Sequence, residues 1–341
     1  MKILFLSRST LFSQPGGDTI QVKETANALQ EMGIEVDIHL KGEEIFFNRY
    51  DLIHFFNLGR PADILPYLHK IMSPIIVSTI FVEYGKGFFQ HTLEYAKTIG
   101  RWLNGSDVYP GWLYLQMRQK NAIQLVIDRS KFLVTSTSTE AQRIQKNWKT
   151  NQAPRMVPLG LSESFINNTK PEGKREGFLV VGRIEKLKNQ KMAIQASNDL
   201  ELKLKIIGQA AKNQSSYFEE CQKLANSQVE FLPYLETADL IEEYQKAETL
   251  IMPSHFETFG LVALEAWSQG CKLILSNKIE SKSFFEDKAL FFDPENLNSL
   301  TDAIEKSKDL PNINPDQDLL KKHSWKQSAK ALVRLYESSV F

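Results

Sequence analysis

The run Pro253-Ser254-His255-Phe256-Glu257-Thr258-Phe259-Gly260-Leu261-Val262-Ala263-Leu264-Glu265-Ala266 sets two carboxylates around a glycine turn that opens an apolar helix. The N–H groups at a helix start lack intrahelical partners and carry the positive end of the helix dipole. An anion is therefore stabilised at Phe259-Gly260, while the glutamates reach polar neighbours of that anion. A phosphate flanked by hydroxyls describes a nucleotide sugar. A second constellation, Val180-Val181-Gly182-Arg183-Ile184-Glu185-Lys186-Leu187-Lys188-Asn189, follows an apolar run that reads as a strand. Ligands of open α/β sheets bind at the carboxyl ends of strands, which directs Arg183 and Lys188 to where a diphosphate leaving group needs cations. Arginine supplies a planar fork for two phosphate oxygens and lysine a compact point charge. Each motif also has a plainer reading: glutamates on a helix are commonly solvated, and Lys186 and Lys188 have no evident partner in the sequence.

Such residues need a scaffold, and the pattern around them supplies one. Ile3–Leu6 reads as a buried strand, Ser7–Asp18 as a loop carrying Gly16-Gly17, and Thr19–Met32 as a helix ending at Gly33. Strand, glycine loop and helix open a doubly wound domain. Further strands are expected at Glu35–Leu40, Leu52–Phe56, Ile75–Phe81, Phe132–Ser136 and Met156–Leu159. The polar, breaker-rich stretch Asn167–Gly177 reads as a linker. After it the grammar restarts, with strands at Phe178–Val181, Leu204–Ile207, Val229–Leu232, Thr249–Met252 and Leu273–Ser276. The expected architecture is α/β: two Rossmann-like domains, 1–166 and 178–324, facing a central cleft. A C-terminal helix within 325–341 crosses back to the first domain, since Ala329, Leu332, Val333 and Tyr336 recur at helical spacing.

Composition narrows the function classes. A chain of 341 residues exceeds what one core usually covers. Forty-one basic and 41 acidic residues cancel, which argues against a dedicated nucleic-acid binder. Two cysteines, Cys221 and Cys271, form neither a disulfide framework nor a zinc cluster, which points to a reducing compartment. The apolar start is too short for a signal peptide and no run is long enough to span a bilayer, so a cytoplasmic location is expected. Bases outnumber acids between residues 86 and 149, and Trp102, Tyr109, Trp112 and Tyr114 lie among them. That mixture suits peripheral contact with the anionic inner face of the cell membrane, although aromatics in a core and charges in water would read the same way.

The two motifs together resemble the retaining glycosyltransferases of family 4. Pro-Ser before the acidic motif and Trp-Ser-Gln-Gly after it fit that pattern, as do Gly-Arg and Lys-Asn in the cationic loop. Tyr50-Asp51-Leu52-Ile53-His54, Val157-Pro158-Leu159-Gly160 and His323-Ser324-Trp325 extend the resemblance over nearly the whole chain. It implies a GT-B fold, a nucleoside-diphosphate sugar donor, a hydroxyl acceptor on a glycan or lipid-linked substrate, and retention of anomeric configuration without a metal or other cofactor. It further implies that Gly16 and Gly17 approach the donor phosphates and that Arg183 and Lys188 clamp them. Glu257 would hold sugar hydroxyls, Phe259 and Gly260 would offer amides beside Leu261, and Glu265 would hold the ribose. A nucleotide-sugar epimerase or a non-catalytic nucleotide-sugar binder on the same fold is the alternative.

Two departures stand out. Ser78-Thr79-Ile80-Phe81-Val82-Glu83-Tyr84 lacks the histidine the family often carries there, which leaves Glu83 as the nearest polar candidate for an acceptor or sugar contact. Ser276-Asn277-Lys278-Ile279-Glu280-Ser281 likewise lacks the usual Gly-Gly-x-x-Glu loop. Asp316-Gln317-Asp318 matches a metal-binding D-x-D but sits at an expected helix start, where acids serve as caps. His54 and His91 have no companion at metal-ligand spacing, and Ser136 and Ser138 lack the surroundings of a hydrolase nucleophile.

Overall fold

A computed structural model describes residues 1–82, 119–168, 174–211 and 213–340. The chain divides into two compact units, one comprising Met1–Pro158 with Ala329–Phe341 and the other Leu159–Ser328. Glu83 and residues 86–118 of the basic, aromatic tract lie outside the described residues. Among the described residues no helix is long and apolar enough to cross a membrane.

In the first unit, strands β1 (Lys2–Ser7), β2 (Glu35–Leu40), β3 (Leu52–Phe56), β4 (Ile75–Ser78), β5 (Phe132–Thr135) and β6 (Arg155–Met156) form one sheet in the order β2-β1-β3-β4-β5-β6. Every neighbouring pair is parallel. Ile3, Leu4, Phe5 and Leu6 are all fully buried, as a continuous apolar run must be when both faces of its strand are covered. The helix Gly17–Glu31 buries Val22, Ala26 and Leu29, one helical stripe, and Gly33 follows it at φ +80°. The last helix, Trp325–Val340, places Ala329, Leu332 and Tyr336 in the core.

In the second unit, β7 (Phe178–Val181), β8 (Leu204–Ile207), β9 (Val229–Leu232), β10 (Thr249–Met252), β11 (Lys272–Ser276) and β12 (Ala289–Phe292) form a second parallel sheet, ordered β12-β11-β10-β7-β8-β9. Both sheets reverse direction beside their first strand, between β1 and β3 and between β7 and β10. At such a switch the two connections leave on opposite faces, and a crevice opens at the carboxyl ends of the strands.

Several elements differ from expectation. β4 stops at Ser78 instead of running to Phe81, because Ile80 turns to φ +39°, a conformation no strand contains. β6 has two residues, and β12 is a strand the sequence pattern did not single out. The division between units falls at Pro158/Leu159, ahead of the polar stretch 167–177. The reason is packing: Phe165 and Ile166 are buried in the second unit, and Gln269 Nε2 donates to Phe165 O at 2.8 Å. At the far end of that stretch, Arg175 donates to the carbonyls of Tyr244, Ala247 and Gln269, where two helices end and cations are favoured.

Candidate active site

Arg183 and Lys188 leave β7, and Glu257, Phe259 and Gly260 leave β10, so the two motifs occupy the two sides of the switch in the second sheet. Glycines let the β7 exit fold back on its neighbour. Gly182 and Gly208 have φ +144° and +150°, and a Cβ at 208 would stand 2.0 Å from the Gly182 carbonyl oxygen. Ile184 N donates to Gln209 O at 2.8 Å and Ala211 N to Ile184 O at 3.1 Å. Fully buried Gln190 holds the loop from inside: its Nε2 donates to Arg183 O at 2.8 Å, and its Oε1 accepts from Glu185 N at 3.4 Å.

The β10 exit is tied to this loop and to the next strand. His255 N donates to Leu187 O at 2.9 Å, joining the two motifs through main chain. Glu280 N donates to Glu257 O at 2.9 Å and Ser281 N to Thr258 O at 3.2 Å. Gly260, at φ +79°, starts the helix Leu261–Ser268, and a Cβ there would lie 2.8 Å from Ile279 Cδ1. Gly260 has no side chain to cap that helix, so the first N–H groups lack an N-cap bond and suit an anion.

Lys188 Nζ donates to Glu257 Oε2, and both side chains are only about one-fifth accessible. Lys188 therefore does have a partner, one that lies 69 positions away. Arg183 Nη2 donates to Glu185 Oε1 at 3.1 Å, and the Arg183 side chain is 41% accessible. Phe259 is buried against Phe284, which leaves only its main chain for a ligand, whereas Leu261 is half-buried. Glu265 Oε2 accepts from Tyr244 Oη at 3.1 Å. Burial, reinforced by Glu265, keeps the Tyr244 hydroxyl well above the usual phenol range and so protonated. The exposed Tyr234, just past β9, also has its pKa raised, first by desolvation and then by Glu236 and Glu265.

Sequence reasoning missed Gln190 and Tyr234, and used Ser254 only as half of the Pro-Ser pair, with no role of its own. The Ser254 hydroxyl is buried without a hydrogen-bond partner among the described residues, an orphan beside the acidic motif. Only its place in the loop before Glu257 could have flagged it.

Gly16 and Gly17 belong to the first unit, at the exit of β1 beside that sheet's switch. Gly16 N donates to Thr19 Oγ1 at 3.0 Å, and a Cβ on Gly17 would meet nothing within 4 Å. Arg8 spends all five of its N–H donors on this loop, contacting Thr10 O, Thr10 Oγ1, Gln14 O and both Asp18 oxygens at 2.6–3.0 Å. Asp316 is a cap: its Oδ1 accepts from Asp318 N at 2.9 Å and Leu319 N at 3.2 Å. No group of three or more His, Cys, Asp or Glu among the described residues could hold a metal ion.

The family model for glycosyl transferases group 1 matches residues 162–331. The matched stretch contains both motifs of the switch. Over 95% of its length the chain is 23% identical to a D-inositol 3-phosphate glycosyltransferase of Pseudarthrobacter chlorophenolicus, covering 91% of that protein. A similarly named protein of Corynebacterium urealyticum is 25% identical over 63% of the chain and 58% of its own length. Among solved structures, sucrose-phosphate synthase from Thermosynechococcus elongatus superposes with a TM-score of 0.73 at 15% identity, covering 99% of both chains. Anabaena HepE, in complex with UDP and glucose, gives 0.72 at 14% identity over 99% of this chain and 100% of that one. The two parallel α/β sheets are those of GT-B glycosyltransferases.

Proposed function

We propose that the protein is a retaining, metal-independent glycosyltransferase of family 4, which moves a sugar from a nucleoside-diphosphate sugar to an acceptor hydroxyl in glycan or glycoconjugate assembly. The observation that carries this reading is the junction of Lys188 and Glu257 across the switch of the second sheet, beside an uncapped helix start. As the sugar–phosphate bond breaks, the leaving diphosphate gains charge. Arg183, Lys188 and the amides at Gly260 and Leu261 are fixed charges and dipoles that stabilise it without reorganising. The departing phosphate oxygen accepts the acceptor's proton on the face it leaves, which preserves configuration. Glu257, steadied by Lys188, accepts hydrogen bonds from hydroxyls of the sugar, and Glu265, steadied by Tyr244, from those of the ribose. The name of the full-length relative and the UDP held by HepE support a nucleotide-sugar donor. The work is placed in the cytoplasm, at the inner membrane face when the acceptor is lipid-linked.

A panel of UDP-, GDP- and ADP-hexoses tests this. One donor should yield free nucleoside diphosphate with wild-type protein. Arg183→Ala and Lys188→Ala should each slow that release by about 10²- to 10³-fold, the usual cost of one preorganised interaction with developing charge. The double variant should fall short of the product of the two losses, since both cations serve one group. Near wild-type rates in both single variants at saturating donor would remove the catalytic role of the loop. Epimer formed from donor alone would replace transfer by isomerisation.

A further inference from the structure

The stretch Phe292-Asp293-Pro294-Glu295-Asn296 ends β12 in a turn that its own side chains fix. Proline cannot donate to a sheet ladder, and the acid and amide around it bond to nearby main chain instead. Glu295 N donates to Asp293 Oδ1 at 3.1 Å, Asp293 N to Ser299 Oγ at 3.1 Å and Asn296 N to Asp293 O at 3.0 Å. The Asn296 side chain caps the helix Leu297–Lys308 that follows. This turn is a fixed point, and it reaches both motifs of the second unit.

One contact falls on the residue after Lys188. Asn189 Nδ2 donates to Pro294 O at 3.1 Å. Asn189 stands at φ +53°, a left-handed conformation that asparagine tolerates better than most side chains. The other contact falls two residues before Glu257. His255 Nδ1 lies 2.7 Å from Glu295 Oε1, and since a carboxylate only accepts, Nδ1 carries the proton and donates it. Because His255 N also donates to Leu187 O at 2.9 Å, the segments 187–189, 255 and 294–295 close into a ring of contacts.

Lys188 stands between two anchors of that ring, and its own element is weak. It is the last residue of the single 3₁₀ turn Lys186–Lys188, held by Lys188 N donating to Glu185 O at 2.9 Å and Asn189 N to Lys186 O at 3.2 Å. One such turn is marginal by itself. Gln190 secures only the front of the loop, at Arg183 and Glu185. A cation stabilises developing charge best when its place is set in advance.

We infer that Asn189, His255 and Glu295 are positioning residues, a clasp that fixes the chain on both sides of Lys188 and so aims its ammonium at the leaving diphosphate. The inference rests on the transferase reading above.

Asn189→Gly keeps the left-handed backbone and deletes the side-chain bond, while Glu295→Ala removes the other anchor from an exposed site outside both motifs. Each is made in the full chain, alone and with Lys188→Ala, and assayed for release of nucleoside diphosphate from the hexose donor that wild type turns over. Asn189→Gly should slow release by about 10-fold, short of the roughly 10²-fold that a misplacement of about 1 Å can bring. Glu295→Ala should slow it by about two- to fivefold, the scale of an exposed pair. In the Lys188→Ala background neither should add a further loss, because both act through that ammonium. A merely structural role predicts the same fractional loss in both backgrounds, and that result overturns the inference. Wild-type rates in both single variants overturn it as well.

Amide hydrogen exchange reads the clasp without turnover. The Lys188 and Asn189 amides should exchange about two- to fivefold faster in Glu295→Ala, which leaves the sequence of the loop intact. Unchanged protection overturns the clasp and leaves the transferase reading standing. A wild-type protein that releases nucleoside diphosphate from no hexose donor overturns the transferase reading instead, and the exchange rates then still decide whether the turn after β12 holds the loop.

Discussion

Glu257 and Glu265 are the same side chain in one motif, yet their partners divide their chemistry. Glu257 is bonded to a cation and Glu265 to a buried phenol. Truncating each should separate turnover from binding. Glu257→Ala should depress turnover more than it weakens the free nucleoside diphosphate, while Glu265→Ala should weaken the nucleoside diphosphate itself; calorimetry with UDP, GDP and ADP beside rate measurements checks both. Unchanged affinity in Glu265→Ala would remove its ribose role. The spacing and the glycine turn made these residues legible in the sequence. Their partners were not, since Lys188 and Tyr244 lie 69 and 21 positions away and only the sheet order brings them in.

At the scale of elements, strands bounded by breakers could be read to the residue: β3, β7, β8 and β10 begin and end where the apolar runs do. β4 could not, because Thr79-Ile80-Phe81 is good strand material and buried Glu140, whose Oε1 accepts from Thr79 Oγ1 and Phe81 N on either side of the bend, sits 59–61 positions away. Glycines at loop exits divide in the same way between fold and function. Gly260 is required by its own backbone, with φ +79° and Ile279 Cδ1 in the path of a Cβ, whereas Gly17 has open space and no left-handed φ. Gly260→Ala should therefore lower stability by about 1–3 kcal/mol. Gly17→Ala should leave stability unchanged or raise it slightly, since alanine is the better helix former in the first turn. If donor phosphates approach Gly17, the same substitution weakens nucleotide-sugar turnover. Thermal melts set beside initial rates distinguish the two glycines, and full activity in Gly17→Ala would exclude a close phosphate there.

The first unit is discontinuous in sequence, and one buried polar chain closes it. His54 Nδ1 lies 2.6 Å from Tyr336 Oη and Nε2 lies 2.8 Å from Ser78 Oγ, with the ring stacked on Phe56 at 4.3 Å. The C-terminal helix is thereby joined to β3 and β4 across 282 positions, a link that the helical spacing of Ala329, Leu332 and Tyr336 could suggest but not locate. Burial holds the His54 imidazole at a pKa of about 3, far below its usual 6.5. The folded protein keeps this residue neutral, while the unfolded chain takes up a proton below pH about 6.5. Its contribution is thus unaffected above pH 6.5 and turns against the fold as pH falls toward 3, by about 1.4 kcal/mol for each pH unit. His54→Gln, which does not titrate, should be less stable than wild type at pH 7. Because wild type alone bears the protonation cost, the gap between the two should narrow between pH 7 and pH 5. Urea unfolding of both proteins at the two pH values measures that gap, and a gap of constant size would mean that His54 is not held neutral by the fold.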